Sequence, residues 1–207
     1  MVINYLGKQS FKITFGNITI ALDPIGKDSD SKAPRFGADI CLSSINHPDA
    51  NGVENVSYGD RKAVAILGPG EYEVKDVFIK GFNSKSNYGD EFGLNTIYII
   101  KLEDMNLLFL GAHGEDDLPA ELKEELDEVD VLFIPISKNT LASNVASKLS
   151  TKLEPKIIIP MAYEDADLKA YLKEEGSDAV KPVEKLVLKK KDLAEKEGEI
   201  VVLSPSS

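Results

Sequence analysis

A chain of 207 residues, 43% hydrophobic and 29% charged, has enough apolar material for one buried core and is neither low-complexity nor disordered in composition. Its 35 acidic residues outnumber 24 basic ones, and the net charge of -11 argues against nucleic acid and membrane surfaces as partners, while a small anion in a local pocket stays open. Cys41 is the single cysteine, which excludes an internal disulfide and a multi-cysteine zinc cluster; with no leader-like segment and no apolar run near the roughly 18 residues of a spanning helix, a cytoplasmic protein is expected.

The first half reads as β-structure. Residues 2–6, 11–15 and 18–22 are short runs rich in β-branched and aromatic side chains, and Gly16-Asn17 is hairpin-turn chemistry between the second and third. Residues 38–43, 63–67, 77–81, 96–102 and 107–110 continue the pattern, with polar loops at 26–37, 46–60 and 83–93. The second half alternates helix and strand. Leu118, Leu122 and Leu126 fall at helical spacing behind Asp116-Asp117, a start signal. Strands are expected over 131–134 and 157–159, and helices around Leu141, Val145 and Leu149 and around Leu168, Tyr171 and Leu172. Residues 186–188 and 200–203 read as a closing pair of strands, with a solvated basic run at 189–191 between them. No repeat or linker interrupts the chain, so residues 1–207 are expected to form one domain with two sheets and helices packed outside.

Residues with chemical potential cluster where strands end. Asp23-Pro24 follows one strand, and His47 and Asp49 follow another. Gly68-Pro69-Gly70-Glu71, Gly111-Ala112-His113-Gly114-Glu115 and Pro160-Met161-Ala162-Tyr163 follow three more. In this order they resemble the metallo-β-lactamase fold, and within it the short zinc-dependent hydrolases related to ascorbate-6-phosphate lactonase. The resemblance starts at Leu6-Gly7-Lys8-Gln9-Ser10-Phe11, where the family has Leu-Gly-His-x-Ser-Phe. It continues through Leu22-Asp23-Pro24, the loop at 44–51 and Gly68-Pro69-Gly70-Glu71-Tyr72-Glu73, and ends with Glu154-Pro155-Lys156 leading into 157–163. It implies an α/β, four-layer αββα sandwich of the metallo-β-lactamase type.

The same resemblance implies that the ligand pattern is broken. Active relatives carry Thr/Ser-His-x-His-x-Asp-His, a later Gly-Asp that bridges two metals, and Pro-Met-His-Tyr. Here Ser44 and His47 keep their positions and Asp49 keeps the Asp. Ile45 and Ala50 replace two His, Ala112 replaces the bridging Asp, Ala162 replaces the late His, and Lys8 replaces the His of the first motif. Ile and Ala offer no lone pair, and a catalytic zinc takes about three protein ligands plus water. The dinuclear site is therefore not expected, and the set Ile45, His47, Asp49, Ala50, Ala112 and Ala162 reads as vestigial.

Each survivor also has a plain structural reading. His47 can bond a backbone carbonyl, Asp49 can cap a turn, Asp23 can organise its loop, and two glycines and a proline explain the Glu71 segment as a turn. His113, next to Ala112 on an extended segment, points by default to the opposite face. Three function classes follow. The first is a metal-free member of the fold, without a cofactor, that binds a small molecule, regulates or assembles. The second is a hydrolase of phosphoesters or lactones with one divalent metal (Mn, Fe or Zn) at a rearranged mononuclear site. There His47, Asp49 and Glu71 are the ligands, Asp49 the catalytic candidate, and Asp23 and His113, with Glu115 as a further acid, line the pocket. The third is a structural subunit of a homo-oligomer or of a complex with another protein.

Overall fold

The computed structural model describes residues 1–60, 62–90 and 93–206. Two sheets stack face to face. Sheet A is built from β1 (Val2–Gly7), β2 (Ser10–Phe15), β3 (Ile18–Leu22), β4 (Ile40–Leu42) and β5 (Val64–Ile66), with β12 (Leu186–Val187) added beside β1. Sheet B contains β6 (Gly70–Val74), β7 (Val77–Ser86), β8 (Gly93–Leu102), β9 (Met105–Phe109), β10 (Val131–Pro135), β11 (Ile157–Met161) and β13 (Glu199–Ile200). Its order is β13-β11-β10-β9-β8-β7-β6. Three helices, α1 (Ala120–Glu125), α2 (Ser143–Leu153) and α3 (Asp165–Glu174), supply Leu122, Leu149 and Tyr171 to the core that covers the outer face of sheet B. On the outer face of sheet A, loops and a short 3-10 turn (Val53–Asn55) pack Phe36, Val53 and Val56 over Ala21 and Cys41. These layers give the expected α/β sandwich.

Strand periodicity sorts the side chains. In β10, Val131 and Phe133 face sheet A, while Leu132 and Ile134 face the helices; β11 divides Ile157 and Ile159 from Ile158 in the same way. Phe11 of sheet A meets Phe133 of sheet B edge to face, 4.9 Å between centroids, and Phe109 lies against the same ring at 5.9 Å. The turn between β2 and β3 is the two-residue hairpin that Gly16-Asn17 implied, with Phe15 opposite Ile18 and Gly16 at φ +55°.

Direction matters more for function than strand count. β3, β4 and β5 run parallel, as do β9, β10, β11 and β13. Bonds between the sheets bring the ends of the two parallel blocks together: Thr96 donates its backbone N–H to Ser44 O at 2.8 Å, and the Tyr98 hydroxyl donates to Ser43 O at 2.9 Å. Ala162 N, after β11, donates to Lys8 O in the β1–β2 turn at 2.7 Å.

Three expectations need correction. The Glu71 segment is an edge strand, not a turn, because Gly70–Val74 pairs along its length with β7. Strand β7 runs on to Ser86 through part of the expected 83–93 loop, of which residues 91 and 92 lie outside the described residues. The two closing strands do not pair with one another: β12 joins β1 in sheet A, and β13 joins β11 in sheet B. The basic run between them is anchored, since Lys190 reaches the buried carboxylate of Asp130 at 2.9 Å.

Phe133 is fully buried among aromatic and aliphatic neighbours from both sheets. Phe133→Ala is expected to lower unfolding free energy in urea by about 3–5 kcal/mol. Leu94→Ser, at a side chain 77% exposed, should stay within about 0.5 kcal/mol of the parent in the same assay.

Candidate functional site

The residues after β1, β4, β10 and β11, together with the turn after β7, surround a cavity of about 500 Å³. It is lined by Lys8, His47, Asp49, Tyr88, Gly89, residues 137–139, Ala162, Tyr163, Glu164 and Asp167. Parallel strands aim their C-terminal ends here, where α/β folds commonly hold their ligands.

Asp49 is the electrostatic centre. Its side chain is 12% exposed, and each oxygen is engaged: Ser29 Oγ donates to Oδ1, and the Tyr88 hydroxyl donates to Oδ2 at 2.8 Å. The Lys8 ammonium lies 3.5 Å from Oδ2 and His47 Nδ1 lies 3.9 Å from it. Burial alone would push this carboxyl up. The hydrogen bonds from Ser29 and Tyr88, followed by the charge of Lys8, outweigh burial and hold it below the usual carboxylate range.

The backbone N–H of Asp49 donates to His47 Nδ1 at 3.1 Å, so the ring proton resides on Nε2. The His47 ring meets Tyr88 edge to face, 5.1 Å between centroids. Gly89, at φ +73°, sits next to Nε2: a Cβ there would come within 3.2 Å of that nitrogen.

Beside this pair, the positions that the family resemblance matches to ligands hold a small apolar cluster. Ile45, Ala50 and Ala112 are buried together, and Tyr88 packs against them. Ala112 N is held by Asn95 Oδ1 at 2.8 Å, and a Cβ on Gly111 would collide with the Ser44 side chain, so this turn is fixed closely against the β4 loop. Ala162 lines the cavity at φ +55° with no side chain long enough to reach Asp49's neighbours.

Of the sequence candidates, His47, Asp49 and Ala162 reach the cavity, and Ile45, Ala50 and Ala112 are buried beside it as an apolar cluster against Tyr88. Glu71, His113, Glu115 and Asp23 do not line it. Glu71 is exposed on edge strand β6, where Lys80 at 2.8 Å lowers its pKa; the groove it faces also holds Phe78 and Glu125. An edge strand turns alternate side chains to solvent, which is why a turn reading misplaced it. His113 is fully buried behind Leu110, and the backbones of Asp117 and Glu115 approach its ring without closing a well-formed hydrogen bond. Burial lowers its pKa against the pull of the neighbouring acids. Glu115 turns to Lys85, accepting its backbone N–H and pairing with its ammonium at 3.3 Å.

Asp23 lies behind the site, fully buried at φ +41°, and binds Ser44 through both oxygens. Ser44 N is 2.6 Å from Oδ1, and Ser44 Oγ is 2.5 Å from Oδ2. Burial raises its pKa to about 8, with the two Ser44 bonds opposing. Sequence reasoning missed Ser29, Tyr88, Gly89 and Lys138. They lie in loops whose composition carries no signal, and only the fold brings them to Asp49 and His47.

A metal centre can be tested against these donors. Among the described residues no three His, Cys, Asp or Glu side chains gather so as to hold a metal ion. His47 and Asp49 supply two donors, fewer than the three protein ligands of a catalytic zinc. Asp49 also already has an ammonium and two hydroxyls where a cation would sit. The residues do not fit a dinuclear centre.

Comparison with known proteins is consistent with the architecture. Residues 2–162 match the model of the beta-lactamase superfamily domain. A Listeria welshimeri protein named UPF0173 metal-dependent hydrolase is 26% identical, over 79% of this chain and 85% of its own length. A crystal structure from Thermotoga maritima, assigned to the metallo-beta-lactamase superfamily as a Zn-dependent hydrolase, superposes with a TM-score of 0.74. It is 27% identical and covers 98% of this chain and 97% of that one. A metallo hydrolase from Ignicoccus hospitalis shares the fold at TM-score 0.64 and 18% identity, covering 91% of this chain and 99% of that one. No helix among the described residues is long and apolar enough to cross a membrane.

The raised Asp23 pKa carries a signed expectation. The folded state keeps this proton up to about pH 8, whereas the unfolded chain releases it near pH 3.8. The contribution to stability is full below the lower value and is lost as pH rises through the upper one. Asp23→Asn mimics the protonated form, accepting from Ser44 N and donating to Ser44 Oγ. Urea unfolding at pH 5 and pH 9 should show the parent losing on the order of 1–3 kcal/mol relative to the variant. Parallel pH profiles for the two proteins would contradict this.

Proposed function

We propose, for a chain that belongs to the beta-lactamase superfamily, that it uses the fold's ligand cavity without the dinuclear metal centre, as a small-molecule binding protein. One observation carries the reading: the Asp49 carboxylate is partnered internally by Lys8, Ser29 and Tyr88, beside a buried cluster of Ile45, Ala50 and Ala112. A carboxylate so partnered has no need of a cation, and the apolar cluster has no lone pair to offer one. What the fold retains is a concave, loop-built pocket of the size that small ligands fill.

A second reading takes its support from the relatives, which are named metal-dependent and Zn-dependent hydrolases. On it, His47 and Asp49 would hold a single divalent ion in place of the Lys8 contact, and the ion would supply the Lewis acid for hydrolysis of a phosphoester or lactone.

Elemental analysis of protein purified without chelators separates the two. The binding reading expects less than about a tenth of an equivalent of any transition metal, and no heat on titration with Zn²⁺ or Mn²⁺. Stoichiometric binding that disappears in Asp49→Ala would overturn it in favour of the hydrolase.

A further inference from the structure

The polar groups around the cavity are unequally engaged. Three carboxylates face it, and each is already occupied within the protein. Asp49 takes Ser29, Tyr88 and Lys8. Glu164 and Asp167 form the reciprocal capping box at the start of α3: the Glu164 side chain accepts the Asp167 N–H, and Asp167 Oδ2 accepts the Glu164 N–H at 3.1 Å. The donors are different. Lys138 forms no ion pair among the described residues, although acids outnumber bases in this chain by 35 to 24. Among the described residues the Ser137 hydroxyl bonds only the Thr140 hydroxyl, at 3.0 Å, within its own turn. Lys8 touches Asp49 from 3.5 Å with its side chain 43% exposed, so its remaining N–H bonds are open to the cavity. His47 Nε2 has no acceptor among the described residues: Nδ1 accepts from Asp49 N, and Nε2 faces the bare Cα of Gly89.

We propose that this cavity binds a small organic oxyanion, a carboxylate or a phosphate monoester, whose charged group is received by Lys8, Lys138 and the Nε2–H of His47. The inference rests on the metal-free reading of the same site and adds the ligand's chemical class. Ammonium and imidazole donors suit an oxyanion because hydrogen bonds to charged groups are the strong ones. Tyr88 and Tyr163 offer flat walls for the organic remainder of the ligand. The carboxylates nearby, and a net charge of -11, make the binding local and salt-weakened instead of a product of long-range steering.

The test is calorimetric titration of the full chain, in EDTA, with succinate, with glycerol 3-phosphate and with uncharged glycerol. At least one anion is expected to bind, and glycerol is not. Lys138→Met, at an exposed position that leaves the fold intact, should weaken that anion at least about tenfold. Gly89→Ala should weaken it too, by crowding Nε2. Comparison of the two anions identifies which oxyanion is recognised. Equal binding of glycerol, or anion binding indifferent to Lys138→Met, would overturn the proposal. Absence of anion binding by metal-free protein overturns it as well, and leaves the metal-free reading standing. Anion binding that appears only with added Zn²⁺ or Mn²⁺ would instead sink the metal-free reading.

Discussion

The central strands of sheet B, β9 to β11, bury both of their faces, one against sheet A and one against the helices, and this double burial governs where polar chemistry can reside. A strand such as β11 has apolar side chains on both sides along its whole length. Along these central strands polar groups are left to the strand ends. Because β3 to β5 of sheet A and β9 to β11 of sheet B form parallel blocks, those ends come together at one side of the sandwich. Lys8, Asp49, Tyr88 and Ala162 are far apart in the chain, and inter-sheet bonds such as Thr96–Ser44 and Ala162–Lys8 hold their loops in register. The cavity is thus a product of strand direction.

Within that cavity the decisive question is how a half-enclosed carboxylate is stabilised. A metal does this with one concentrated charge. Asp49 has two hydroxyl donors and a lysine at 3.5 Å instead. The ion pair itself is modest, since Lys8 is nearly half exposed and solvent screens it. More of the stabilisation belongs to the Ser29 and Tyr88 bonds, which are less exposed and directed at separate oxygens. Tyr88 acts twice, through its hydroxyl on Asp49 and its ring on the Ile45, Ala50 and Ala112 cluster. The polar and apolar halves of the site are therefore joined by one side chain.

Much of the sandwich was legible in the sequence, because alternation along strands and spacing along helices are local properties. The 18–22 strand, the Gly16-Asn17 turn and the three helices all declare themselves within a few residues. The 70–74 strand did not. Glycine and proline at its start look like a turn, and its exposed alternation as an edge strand leaves little apolar signal. The partners of the last two strands were illegible for another reason. A two-residue strand carries no mark of which sheet it joins, so β12 and β13 looked like a pair. At the site, the departures from the family motif could be read from the sequence, Lys8 among them. That Lys8 would meet Asp49, or that Tyr88 and Ser29 would complete its shell, depends on contacts across 41, 39 and 20 residues. No local pattern encodes such contacts.

The packing of Ile45, Ala50, Ala112 and Tyr88 as one unit also sets what substitution there can do. A single imidazole at residue 45 would bury a polar ring among apolar neighbours with too few ligands beside it to hold an ion, so the change costs stability with nothing to offset it. The same holds for a carboxylate at residue 112. Only several simultaneous changes, with Tyr88 moved aside, would reach a state in which an ion repays the disruption. Substitutions in contact are coupled, and here the coupling makes each single step uphill. A metal centre at these positions is thus opposed by side-chain packing and not by the course of the backbone.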